Sequence, residues 1–166
     1  FSAKDVAPLL RGTDVHHPVS RLIWIENSAN LAGGAIFPQE NILELRQLAD
    51  DHKLGMHLDG ARIWNVAAAT GKSEAELCEP FDSISVCLSK GMGCPVGSLV
   101  IGSHEFITRA RRYRKRFGGD MRQAGIIAAA GLYALENNRA RMKDDHAHAR
   151  MLAETLRSCS GCLIDM

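Results

Sequence analysis

Short apolar runs that end in glycine or charge alternate with helix-spaced stretches along most of this chain. Leu22-Ile23-Trp24-Ile25 is a compact apolar run closed by Glu26-Asn27, which predicts a strand buried on both faces. Asn30-Leu31-Ala32-Gly33-Gly34 follows as a turn-rich segment. Pro38 suits the opening of a helix, and Ile42, Leu45, Leu48 and Ala49 recur at helical spacing up to Asp51. The run from Leu54 to Leu58, closed by Asp59-Gly60, predicts a second strand. An Ala-rich helix from about Ile63 to Thr70 comes next, stopped by Gly71. The run from Ser83 to Leu88 predicts a third strand that leads into Lys90. A helix-length segment separates the second and third strands, so they fit a right-handed crossover in one parallel sheet.

Gly91 to Pro95 is too short for such a crossover, so Val96 to Ile101 is predicted to return antiparallel. Ser103 caps the next helix, with Glu105 in its first turn, and the helix runs to Phe117 before Gly118-Gly119 interrupts it. A last helical stretch starts near Met121 and continues, with a bend at Asn137-Asn138, to about Leu156. Ahead of all this, Ser2 to Gly12 reads as a short helix and Asp14 to Pro18 as a loop. Alternating strands and helices predict an α/β fold with a mostly parallel sheet. Composition becomes more charged after Glu136, which predicts one unit over 1–137 and the start of a second, smaller one over 138–166.

With 166 residues, 46% of them apolar, the chain can bury a real core, which argues against a disordered segment. A net charge of +1 argues against a general affinity for nucleic acid. The basic run Arg109 to Arg116 reads as a solvated helix face, since Tyr113 and Phe117 are the only aromatics there for stacking bases. No apolar run is long enough to span a bilayer, and no signal-peptide layout opens the chain. The five cysteines are odd in number, with Cys87 in an apolar strand and Cys94 near Lys90, which points to reduced thiols and a cytoplasmic protein. Cys159-x-x-Cys162 could be half of a redox or zinc site, but no second pair completes it, so no metal is expected. Phe1 is no initiator, and the chain stops at Leu163-Ile164-Asp165-Met166 inside what reads as a strand. An internal piece of a longer protein is the expectation.

The candidate chemistry sits where two of the predicted strands end. Asp59 and Lys90 each follow the carboxyl end of an apolar strand, where open α/β sheets place their ligands. A lysine able to form a Schiff base and a carboxylate able to hold a pyridinium nitrogen are the groups by which proteins grip pyridoxal phosphate. Gly91-Met92-Gly93 would let such a cofactor approach the backbone. Plainer readings stand beside these: Lys90 as a surface charge, Asp59 as a cap for the helix near Ala61, and Arg62 as half of a surface ion pair. Arg62 could instead present a planar fork to a substrate carboxylate or to a phenolic oxygen of the cofactor. His57 leaves the same strand face as Asp59 and reads as a hydrogen-bonded core residue, while His16 and His17 lie in a loop. Lys115 and Arg122 flank Gly118-Gly119 and could reach an anionic ligand, including one in a partner subunit.

The strings His57-Leu58-Asp59-Gly60-Ala61-Arg62, Cys87-Leu88-Ser89-Lys90-Gly91, Pro95-Val96-Gly97-Ser98 and Met121-Arg122-Gln123-Ala124-Gly125 together resemble low-specificity L-threonine aldolases. Glu26-Asn27, Gly33-Gly34 and Pro38 agree with the same family. The resemblance covers nearly the whole chain. It implies part of the large pyridoxal-phosphate-binding domain of an aspartate-aminotransferase-like fold, leading into a small C-terminal domain. The implied enzyme is a homo-oligomer, a dimer of dimers, that splits L-threonine or L-allo-threonine into glycine and acetaldehyde. Carried over by position, Lys90 resembles the Schiff-base lysine and Asp59 the partner of the pyridinium nitrogen. Arg62 resembles the group beside the phenolic oxygen and the substrate carboxylate, and His16 a histidine close to the substrate. Lys115 and Arg122 resemble basic residues lent to a neighbour's site. The base that takes the hydroxyl proton stays open between His16, a water and the phosphate.

The chain also departs from the family. Its usual Glu-Asn-Thr-His-Asn is here Glu26-Asn27-Ser28-Ala29-Asn30, and its Gly-Gly-Gly is Gly118-Gly119-Asp120. The family's phosphate-cradling loop, its ring-stacking histidine and its second carboxylate-binding arginine have no counterpart within these residues. The 166 residues alone are therefore expected to be inactive. Two other readings remain open: a β-eliminating lyase of the same fold, and a non-catalytic truncated relative that associates with intact subunits.

Overall fold

The computed structural model describes residues 1–164, so Asp165 and Met166 lie outside the described residues. Four strands form one sheet in the order β1 (Leu22–Glu26), β2 (Gly55–Gly60), β3 (Ser83–Cys87), β4 (Ser98–Gly102). The first three are parallel, and β4 returns antiparallel to β3, as the short Gly91–Pro95 link requires. The helices are α1 (Ala3–Val6), continued as a 3-10 turn, α2 (Gln39–Asp51), α3 (Ile63–Thr70), α4 (Glu74–Cys78), α5 (His104–Arg116), α6 (Gly125–Asn137) and α7 (Met142–Arg157). This α/β arrangement is the one the alternation of runs predicts.

Local chemistry accounts for most boundaries. Pro38 sits at the N-cap of α2, and Gly71 ends α3 in the left-handed conformation at φ +72°. Ser103 Oγ accepts from the Phe106 amide at 3.2 Å and opens α5. The helix α4 has no counterpart in the hydrophobic pattern. Its signal is Ser73-x-x-Glu76, a reciprocal capping box in which each side chain reaches the other's backbone. The final helical stretch begins at Gly125 rather than near Met121, because residues 122–124 form a turn. It breaks at Asn138, where a 3-10 turn precedes α7. Leu163 and Ile164 are not in a strand, and the rest of that expected strand falls on the two residues outside the description.

The core lies on one side of the sheet. Ile25, Met56 and Leu58 pack with Ile42, Leu45 and Ala49 of α2, Val66 of α3 and Leu77 of α4, all 3% exposed or less. Burying one such large side chain stabilises by roughly 1.5–3 kcal/mol. The expectation that β1 is buried on both faces fails: Leu22 is 51% and Trp24 62% exposed. The described helices cover only the face that carries Ile23 and Ile25, so alternate residues of β1 lack a covering layer. A smaller cluster of Leu88, Met92, Cys94, Ala134 and Met142 packs beneath the loop that carries Lys90.

Candidate active site

Parallel pairing of β2 with β3 sets Asp59 beside Ser85, and the chain leaves β3 at Cys87, three residues before Lys90. The loop after β3 is tightly held. Leu88 N–H donates to Gly97 O at 2.9 Å, Gly93 N–H to Lys90 O at 2.8 Å, and Cys94 N–H to Leu88 O at 3.0 Å. Trp64 Nε1–H donates to Cys87 O at 3.1 Å, and Asn138 Nδ2–H to Met92 O at 2.8 Å. Lys90 itself is exposed, and its Nζ donates to Cys87 Sγ at 3.5 Å. Gly91 also has a packing reason. A Cβ there would lie 2.8 Å from Met142 Sδ, so any other residue requires the buried Met142 thioether to shift.

Arg62 is positioned by groups at the carboxyl end of β1. Its Nη2–H donates to Asn30 Oδ1 at 2.8 Å, and Nη1 lies 3.7 Å from Glu26 Oε1. Glu26 Oε1 also accepts from the Asn30 amide at 3.1 Å, so the three residues form one network. The ion pair foreseen for Arg62 is present, and the guanidinium still faces a cavity. Arg62, Asn65, Lys90 and His146 line that cavity of about 480 Å³, together with Ser28 and Val66.

Asp59 does not line this cavity. Its Oδ1 accepts from the Ala61 amide at 3.1 Å, while Arg62 occupies the N-cap of α3. The carboxylate thus closes the strand-to-helix turn instead of capping the helix, and among the described residues its second oxygen has no hydrogen bond. His57, two residues earlier on the same face, contacts Ser83 Oγ through Nδ1 at 2.8 Å and meets Trp24 edge-on at 5.3 Å. Burial pushes its pKa below the ordinary value, with the negative charge of Asp59 opposing the shift. This is the hydrogen-bonded histidine the sequence predicts.

The remaining expected site residues stand apart from Lys90 in this chain. His16 is exposed, its amide bonded to Asp14 Oδ1 at 2.8 Å, and it does not line the cavity. Lys115 is exposed 3.7 Å from Asp120, and Arg122 is exposed in the turn before α6. Among the cavity residues not foreseen, Asn65 and His146 are hydrogen-bonded to each other. Asn65 lies one helical turn after Arg62 and was findable from the spacing of α3. His146 comes from 81 residues further on, and nothing local marks it.

Comparison with known proteins places nearly the whole chain in one family. A family model described as beta-eliminating lyase matches residues 1–165. The chain is 50% identical over 143 residues to a protein of Arabidopsis thaliana named probable low-specificity L-threonine aldolase 2, covering 86% of this chain and 40% of that protein. It is 45% identical over 152 residues to the low specificity L-threonine aldolase of Escherichia coli K12, covering 92% of this chain and 45% of the relative. A Listeria monocytogenes crystal structure, provisionally assigned as an L-allo-threonine aldolase, superposes with a TM-score of 0.81 at 30% identity, over 97% of this chain and 43% of that one. The chain thus spans less than half the length of each of these relatives.

Proposed function

The chain belongs to the beta-eliminating lyase family, and on that premise we propose that the whole protein is a pyridoxal-phosphate-dependent lyase cleaving L-threonine and L-allo-threonine to glycine and acetaldehyde. The observation that carries the reading is the pairing of Lys90 with Arg62 in one cavity, with Asp59 at the end of the neighbouring strand. The donor set fits the cofactor. Lys90 offers an exposed amine held only by a thiol, and Asp59 keeps one carboxylate oxygen without a partner among the described residues. When bound, pyridoxal phosphate supplies an electron sink for the bond being broken.

Each residue has a separate task. Lys90 would hold the cofactor through Nζ, whose exposed free amine suits that task. Asp59, whose second oxygen keeps no hydrogen bond among the described residues, would partner the ring nitrogen. Arg62 orients the substrate carboxylate, and Glu26 and Asn30 keep its fork from swinging away. Lys115 and Arg122 serve a neighbouring subunit of a homotetramer, as exposure of both side chains allows. His16 approaches the substrate from its loop. The end of α6 at Asn137 supports a boundary between a large domain over 1–137 and a smaller one from 138. Five free thiols suit a reducing, cytoplasmic setting, and the proposed cleavage would serve threonine breakdown and glycine formation there. Among the described residues, no helix is long and apolar enough to cross a membrane.

The test uses the whole protein with pyridoxal phosphate. Threonine should yield glycine and acetaldehyde in equal amounts, and borohydride reduction followed by peptide mapping should place the phosphopyridoxyl mass on Lys90. Pyruvate and ammonia from a substrate with a β leaving group, with threonine untouched, would favour a β-eliminating lyase instead. Label on Lys115 would overturn the assignment of Lys90.

A further inference from the structure

Helix α7 meets the candidate site at two points one turn apart. Met142, 1% exposed, seats its Sδ where any Cβ on Gly91 would clash, directly beside Lys90. His146, four residues later and so on the same side of the helix, reaches the cavity, where its Nε2 lies 3.1 Å from Asn65 Nδ2. Asn65 in turn stands one turn after Arg62 on α3. One hydrogen bond therefore ties the helix that presses on the Lys90 loop to the helix that begins at Arg62. With the amide Nδ2–H donating, Nε2 is the acceptor and the ring proton resides on Nδ1.

We propose that His146 is a positioning residue of the Lys90 site: through Asn65 it sets the gap between α7 and α3, and so the separation between Arg62, which orients the carboxylate of an amino acid, and the Lys90 loop against which its other end lies. The inference rests on the reading that an amino acid binds between these two residues. Neither His146 nor Asn65 handles a proton or a bond of the substrate. Their loss widens the gap, weakens binding of the amino acid and leaves the chemical step nearly intact.

The experiment takes the whole protein with its cofactor and compares His146→Ala, Asn65→Ala, the double variant and His146→Gln. Glycine is the binding probe, its dissociation constant read from the change in cofactor absorption, alongside KM and kcat for threonine. Each alanine variant should raise the glycine constant and the threonine KM about tenfold, the scale of one lost hydrogen bond in a partly buried site, with little change in kcat. The double variant should be no worse than either single one, because both remove the same link. His146→Gln, whose amide oxygen can accept from Asn65, should recover most of the loss. Unchanged glycine binding in both single variants, or additive losses in the double one, would overturn the proposal. So would a lowered melting temperature with unchanged KM, the mark of a purely structural role. A parent protein that binds glycine but leaves threonine uncleaved would sink the proposed function while the glycine constants still decide the role of His146. A parent that does not bind glycine overturns both.

Discussion

The first half of the described chain and the second are built differently. From β1 to β3, strands and helices share one core in which Ile25, Ile42, Leu45, Ala49, Met56, Leu58 and Val66 are 1% exposed or less. From β4 onward burial is sparse. No residue of β4 or α5 is buried, α6 buries only Gly131 and Ala134, and α7 buries only Met142. Apart from the pairing of β4 with β3 and the Arg139–Glu74 ion pair, the contacts the second half makes with the first gather at the Lys90 loop and the cavity beside it. Asn138 holds Met92 O, Met142 fills the space over Gly91, and His146 reaches Asn65. The first half supplies stability and the second supplies placement, so mutations in the two should be read out differently.

The sharpest separation comes from truncating one apolar side chain in each half of the isolated chain. Leu58→Ala removes a fully buried side chain from the shared core and should cost about 2–5 kcal/mol in denaturant unfolding. Ile126→Ala, at a position 87% exposed, should stay within about 0.5 kcal/mol. A large loss at Ile126 would mean that the second half is packed by something and that the contrast is false.

Next in size is Asp59→Asn in the whole protein. The amide can still close the turn to Ala61, so folding should survive, while, on the proposed function, loss of the charge meant for the ring nitrogen should raise the reaction barrier by roughly 1.5–3 kcal/mol. That is roughly a ten- to hundredfold fall in kcat for threonine cleavage. Turnover at the parent's rate would leave Asp59 with the turn alone.

Gly91→Ala probes the join between the halves. The new methyl group meets the buried thioether of Met142, and overpacking of this kind costs typically about 1–3 kcal/mol. Adding Met142→Ala should restore part of that loss, and a double variant whose losses merely add would show that α7 does not press on the loop.

The smallest effect is a pH dependence inside the first half. His57 has a folded pKa below its unfolded value of 6.5, because burial disfavours the charged ring. The unfolded chain therefore binds the proton first. The stability that this neutral histidine contributes is present above pH 6.5 and is lost as pH falls through the lower, folded value. Melting temperatures of the parent should drop more across that window than those of His57→Gln. Parallel curves would show that the Ser83 contact shields no neutral ring.

Much of this organisation is legible in the residues themselves. Three parallel strands, the antiparallel return, the glycine stop of α3 and the serine cap of α5 follow from periodicity of two or 3.6 and from termini that must satisfy backbone groups locally. So does the placement of Asp59 and Lys90, since a buried run can only end where glycine and charge begin. The short helix α4 was equally local, written in Ser73 and Glu76 rather than in any apolar pattern. What covers an apolar run is a different matter. An unbroken run at Leu22–Ile25 states that the strand is apolar all round, but which face meets a helix depends on elements brought from elsewhere, and here only one face does. Tertiary packing alone decided that Gly91 must yield to Met142, that Asp59 lies outside the cavity shared by Lys90 and Arg62, and that Asn138 and His146 arrive from 46 and 81 residues beyond their partners. Periodicity reports the face a side chain leaves from; only the packing of distant elements determines what that side chain meets.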